Sequence, residues 1–211
     1  MKSRYPEGSP LRRAVESLRH EGFRTFAWKL ASELGVRRIL RLVRPIDEPI
    51  HDAIGSLPIA FDLLAADGID EYLAARPDAG RTAIEAALKD GQQCFLVRHE
   101  GRIVSSCWSS TTSCRSSYLG REIVLLEGDV YFNDAWTAPS MRGHGLAHAL
   151  CLHQLRHFRG LGFRRAVRGT IPENYSALRA HRKCGFRPVA MLACVRIGAW
   201  QREMDRPWRE D

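Results

Sequence analysis

A chain of 211 residues with 45% hydrophobic and 27% charged residues has room for one well-buried domain plus an appendage, and its composition excludes disordered and collagen-like classes. The net charge of +8 is concentrated at the start, where residues 1–45 hold eleven Lys and Arg against four Glu. This reads as a basic appendage, not as the active site of a nucleic-acid enzyme. Six cysteines form no C-x-x-C pair and no zinc-ligand spacing, so they read as reduced, mostly buried thiols of a cytoplasmic protein. Nowhere do about 18 apolar residues run together and no apolar segment follows the basic N-terminus, so neither a membrane span nor a secretory signal is expected.

Three amphipathic patterns at helical spacing open the chain: Leu11, Ala14, Val15 and Leu18; Phe23, Phe26, Ala27, Leu30 and Leu34; Val36, Ile39, Leu40 and Val43. Gly22 and Gly35 punctuate them, and Pro45 and Pro49 mark a linker. The expected organisation is a basic helical extension over 1–45, a linker over 46–56 and the main domain over 57–211. The extension is expected to cap the domain or make a homodimer contact, and the alternative is a peripheral contact with the inner face of a membrane. Nucleic acid is not an expected partner.

From residue 57 the pattern alternates. Strands are predicted over 57–63, 93–98 and 102–110, with helices over 69–75 and 82–89 between the first two. His99-Glu100-Gly101-Arg102 reads as a hairpin turn. Residues 111–127 are expected to hold a loop and a short strand over 123–126. Beyond Gly128 a strand runs to Pro139, a glycine-opened helix ends near Gly160 or Gly162, and a strand over 164–169 precedes a helix over 174–183. A Gly185-Phe186 turn and two strand segments up to Trp200 complete the pattern.

A helix N-terminus presents unpaired N–H groups and a partial positive charge, and glycines let an anion approach the backbone. Arg142-Gly143-His144-Gly145-Leu146-Ala147 has that design directly after a strand. It resembles the acyl-CoA signature of the GNAT N-acetyltransferases: Gln or Arg, two free positions, Gly, one free position, then Gly or Ala. Asn174-Tyr175-Ser176-Ala177 with Lys183-Cys184-Gly185-Phe186 is similar to the closing segment of that family. The likeness covers roughly residues 57–199 and is strongest over 128–190.

This resemblance implies an α/β (α+β) GNAT fold, with a mixed sheet of about six to seven strands flanked by helices. It implies acetyl-CoA or another acyl-CoA as co-substrate, its pyrophosphate on Arg142, Gly143, His144, Gly145, Leu146 and Ala147. The backbone of Ala135, Trp136 and Thr137 would face the pantetheine arm, with Asn174 also on the donor side. The acceptor is expected to be a primary amine of a small molecule; the alternatives are a donor carried by an acidic carrier protein, or a basic membrane- or partner-binding adaptor on a GNAT scaffold. With its basic helical extension, the layout is similar to bacterial GNAT proteins associated with surface-polysaccharide assembly, which suggests an amino sugar or a lipid-linked acceptor.

Acyl transfer to an amine needs a proton acceptor for the amine and a proton for the departing thiolate. Asp134, five residues before Pro139, is the candidate base, against a bland reading as a solvent-facing strand-end carboxylate; Glu127 is the alternative. His181 stands where the family usually has a tyrosine, four residues ahead of the Gly of the Gly-Phe turn. It is the candidate acid, with Tyr175 or water as alternatives. His144/His148 and His153/His157 have the i, i+4 spacing of helical metal ligands, but no H-E-x-x-H is formed and no metal is expected.

Overall fold

A computed structural model describes residues 27–28, 30–51 and 57–209. The first expected helix and much of the second, with most of the basic residues assigned to a membrane or dimer contact, lie outside the described residues. In chain order the elements are β1 (Val36–Pro45), β2 (Ala60–Leu63), α1 (Ile69–Ala75), α2 (Arg81–Lys89), β3 (Gln93–His99), β4 (Arg102–Ser110), β5 (Cys114–Ser116) and β6 (Arg121–Ile123). There follow β7 (Asp129–Thr137), α3 (Leu146–Gly160), β8 (Arg165–Thr170), α4 (Tyr175–Lys183), β9 (Arg187–Ile197) and β10 (Trp200–Pro207).

Eight strands form one sheet in the order β10-β9-β1-β8-β7-β4-β3-β2, one more than the upper expectation, and β5 and β6 pair separately. Within the large sheet only β7 and β8 run parallel. Period-two alternation sends the two sets of side chains to opposite cores. Phe95 and Val97 pack with Phe132 beneath α3 and α4, where Leu150, Leu155 and Phe158 complete the larger core. Cys94, Leu96 and Trp108 face α1 and α2 through Tyr72 and Ile84.

The third expected helix is instead strand β1, bonded between β9 and β8 in the interior of the sheet. Positions 36, 39, 40 and 43 satisfy a helical spacing, but they leave out Leu42, which is buried with Leu40 in the larger core while Ile39 packs in a third cluster with Leu119, Ile123, Tyr131 and Val167. The winning period is two, and it merges residues 36–45 with the main domain. Ile46, placed in the expected linker, is likewise a core residue.

Gly35 explains how β1 enters the sheet. Its φ is +94°, its carbonyl accepts from the Arg196 N–H at 3.0 Å, and an added Cβ would overlap the Arg196 carbonyl. Gly35→Ala is therefore expected to cost about 2 kcal/mol or more, by left-handed strain and by pushing β1 off β9. Urea denaturation of the variant checks this, and an unchanged midpoint would contradict the packing of β1.

Residues 111–127 form the β5–β6 hairpin, with the second strand at Arg121–Ile123, ahead of its expected place. Arg121 anchors it to β10 through a fork on Asp205 at 2.6 and 2.9 Å. The turn of this hairpin carries Ser117 and Tyr118 into the cavity described below.

Candidate active site

The site begins where two strands part. Parallel pairing of β7 with β8 ends at Phe132 and Arg168, yet β7 continues to Thr137. On its other edge β7 stays attached to β4: the Ser105 hydroxyl donates to the Trp136 carbonyl at 2.6 Å and lies 2.9 Å from Thr137 Oγ1. The backbone of residues 133–137 is thus held on one side and left open on the side that faced β8. A register shift opposite Cys107 marks a bulge, and Asp134 occupies it with φ +44°. A non-glycine residue there is strained, and such bulges re-aim side chains beside sites.

The open edge leads through Pro139–Met141 into the glycine loop. Gly143 and Gly145 have φ of +88° and +76°, and a Cβ on either would enter open space. Gly145 caps α3 without any side-chain hydrogen bond, and the Ala149 N–H is the donor to its carbonyl. The N–H groups of the first turn therefore have no partner within the helix. Leu146 is buried as the anchor of the turn, whereas Arg142, Gly143, His144, Gly145 and Ala147 are exposed. This exposed, positively polarised helix start is free to receive a phosphate-type anion.

On the α1–α2 face lies a cavity of about 1260 Å³. Its floor is a polar cluster built around the Tyr72 hydroxyl, which accepts from Arg76 at 3.1 Å and Trp108 Nε1 at 3.2 Å and sits 3.3 Å from Ser106 Oγ. Burial pushes the Tyr72 phenol up from its ordinary pKa, so it stays protonated. Arg76, only 3% exposed, reaches across to both oxygens of Asp134 at 2.7 and 3.4 Å and to Asp78 at 3.1 Å. Asp134 itself is 40% exposed. At the rim, Arg38 pairs with Glu173 and lies 3.3 Å over the Trp28 ring.

The predicted closing-segment residues have other partners. Asn174 is the N-cap of α4: its Oδ1 accepts from the Ala177 N–H at 3.1 Å and from the Ser176 hydroxyl at 2.9 Å. Its side-chain oxygen thus has a structural duty, and Asn174 also lines the cavity. Tyr175, the first residue of α4, is 58% exposed. His181 meets the Arg168 guanidinium, 3.3 Å from its Nδ1. Burial, and then the Arg168 charge, push His181 down to about 3. A ring with so low a pKa is neutral near pH 7, which bears on how His181 could serve as a proton donor.

The sign of this shift gives a stability prediction. Between pH 6.5 and about 3 the unfolded chain binds a proton at His181 that the folded chain refuses. A penalty absent above that window therefore grows as pH falls through it. Urea denaturation of His181→Gln should show a smaller loss of stability from pH 7 to pH 4 than the parent protein. An equal loss in both would contradict the buried, neutral histidine.

Three of the four paired histidines pack against other side chains. His153 stacks on Phe61 with ring centroids 4.1 Å apart, His157 packs edge-on against Phe95, and His148 Nδ1 lies 3.3 Å from Cys184 Sγ. Sequence reasoning missed Tyr72, Arg76, Trp108 and Arg168. Each meets its site partner across 34 to 61 residues of chain, and no local pattern signals such pairs.

The described residues thus combine a mixed sheet whose one parallel pair splays beside a glycine-opened helix with a polar cavity across the bulge. The sequence profile of the acetyltransferase (GNAT) family matches residues 59–186, and the chain belongs to that family. Similar folds include the GCN5-related glucosamine N-acetyltransferase region of a fungal multi-domain GH3 β-N-acetylglucosaminidase, with TM-score 0.55, 14% identity, and 79% of this chain and 22% of that one covered. A GNAT-family protein from Novosphingobium aromaticivorans has TM-score 0.54 and 18% identity over 75% of this chain and 65% of its own. For the GCN5-related N-acetyltransferase from Sphaerobacter thermophilus the values are 0.51 and 15%, over 87% and 56%. The chain thus spans less than two thirds of each of these structures. No curated protein matches it in sequence. Among the described residues, no helix is long and apolar enough to cross a membrane.

Proposed function

We propose that this protein transfers an acyl group, acetyl in the first instance, from acyl-CoA to the primary amine of a small polar molecule. The single observation that carries the reading is a juxtaposition. The exposed glycine start of α3, the open β7 edge and the Asp134 bulge lie in sequence along one path, and the cavity opens at the bulge. Family membership makes acetyl-CoA the donor to test. The residues fit it: the Gly143–Gly145 turn has open space for the pyrophosphate, and the free edge of residues 133–137 can pair with the amides of the pantetheine arm.

On the acceptor side, the cavity lining holds four carboxylates against three guanidiniums in a chain whose net charge is +8. Such a wall favours a cationic or neutral amine over an anionic one. The lining combines the aromatic side chains of Trp28, Trp108 and Tyr118 with polar ones such as Gln92, Asn133 and Asn174. That mixture suits a hydroxylated ring, and an amino sugar is the acceptor class we favour. The glucosamine N-acetyltransferase region named above has the same fold, which is in keeping with this choice. In this scheme the thioester lies at the bulge, the amine enters from the Tyr72 side, and Asp134 takes the amine proton directly or through water.

Thiol release from acetyl-CoA, measured across amino sugars, amino acids, polyamines and peptides, tests the reading. Amino sugars should give the highest kcat/KM. Release that is fastest with amino acids or peptides would overturn the acceptor class, and release with none of the amines would overturn the activity.

A further inference from the structure

The scheme above leaves one buried cation without a duty. Arg168 is 6% exposed and stands at the end of the parallel pairing, where β7 and β8 part. Its guanidinium is held between the Phe132 and Phe186 rings, 5.3 Å from each centroid. Its Nε is buried without a hydrogen-bond partner, and among the described residues no carboxylate lies within ion-pair distance of it. Its guanidinium lies 3.3 Å from His181 Nδ1 and 3.5 Å from the Cys107 thiol on β4, and the thiols of Cys151 on α3 and Cys184 at the end of α4 belong to the same core cluster as Cys107. Arg44 on β1 adds a second cation near Cys184, where it donates to the Cys184 carbonyl. A buried charge with no counter-ion is costly, and such a charge is most useful where a negative charge arises only during turnover.

Its one polar ring contact fixes the state of His181. A guanidinium has only donors, so the Nδ1 that meets Arg168 is an acceptor and the proton of the neutral ring sits on Nε2. The low pKa of His181 agrees with that form. A pantetheine arm lying along the open β7 edge would bring the donor's sulfur to this place. Residues 133–137 of the open β7 edge span roughly 15 Å at ~3.3 Å per residue, which matches an extended pantetheine arm running from the glycine loop to the parting of the strands.

We propose that Arg168, acting through His181, stabilises the CoA thiolate as it departs. In this step the amine nitrogen forms a bond to the thioester carbon, the carbon–sulfur bond breaks, and its electron pair goes to sulfur. His181 Nε2–H donates a hydrogen bond to that sulfur and keeps its proton; solvent protonates the thiolate after release. Arg168 is the positioning residue, since it fixes the tautomer and supplies positive charge in a region of low dielectric. The inference rests on the Arg142–Ala147 loop being the CoA site.

The test needs no acceptor. The thiol of CoA bound to the full-length protein is titrated by the ultraviolet absorbance of its thiolate, and binding is followed separately by calorimetry. Bound CoA should ionise about one pH unit below free CoA, a tenfold shift in favour of the thiolate. Arg168→Gln and His181→Phe should each abolish that shift while CoA affinity stays within about threefold, and Arg168→Lys should retain part of it. If Arg168→Gln fails to fold by circular dichroism, His181→Phe decides alone. A parent complex that titrates like free CoA, or a shift that survives in His181→Phe, would overturn the proposal. Absence of calorimetric saturation with CoA would instead overturn the donor-site reading on which it rests, so the two failures are distinguishable.

Discussion

Gly145→Glu is expected to lose CoA binding by at least about 100-fold, equivalent to roughly 2.7 kcal/mol, while the protein stays folded. Two effects act together. Gly145 has φ +76° at the cap of α3, a conformation that costs a side-chain-bearing residue about 1–2 kcal/mol. The new carboxylate would also enter the open space in front of the first-turn N–H groups, where it competes with the pyrophosphate for the same positive end of the helix. Because no atom lies within 4 Å of a Cβ built at this position, the core beneath Leu146 need not move. Calorimetric titration with CoA checks the affinity, and circular dichroism checks the fold. Unchanged affinity in a folded variant would place the donor elsewhere.

Asp134→Ala should lower both stability and turnover. Removing the carboxylate strands a guanidinium that is 3% exposed, an event that costs about 3–5 kcal/mol in a fully buried pair. Here Asp134 is 40% exposed and Asp78 remains 3.1 Å from Arg76, so solvent screening and the second partner reduce the expectation to about 1–2 kcal/mol. Turnover should fall by about 10²-fold, the usual scale for losing a positioned proton acceptor, with KM for acetyl-CoA little changed. Asp134→Asn keeps the shape without accepting a proton and should share the rate loss. Rates within twofold of the parent in both variants would leave a mechanism of alignment alone, with solvent moving the protons.

The glycine-opened helix and the helix before the Gly-Phe turn were legible in the sequence because their physics is local. A left-handed glycine cap and the helix behind it occupy consecutive residues, as do the Asn174 N-cap and the Gly185-Phe186 turn that closes α4. The Glu100-Gly101 turn, with φ of 49° and 76°, was equally readable between two strands that both formed. β1 was not, because four apolar positions in eight satisfied a helical period while Leu42 and the partners on β8 and β9 decided for two. The acceptor side was hidden for a related reason. Arg76 meets Asp134 across 58 residues and Trp108 meets Tyr72 across 36, and only the tertiary fold brings them together. His181 was found by position but not by state, since its neutrality depends on burial and on Arg168.

The central claim is that the molecule joins an acyl group from CoA to an amine in the cavity floored by Tyr72, Arg76 and Asp134. Its most direct test is mass spectrometry of the products after incubation with isotopically labelled acetyl-CoA and glucosamine. The account predicts labelled N-acetylated sugar and free CoA in a one-to-one ratio, both lost in Gly145→Glu. CoA release without label on the amine nitrogen would contradict it.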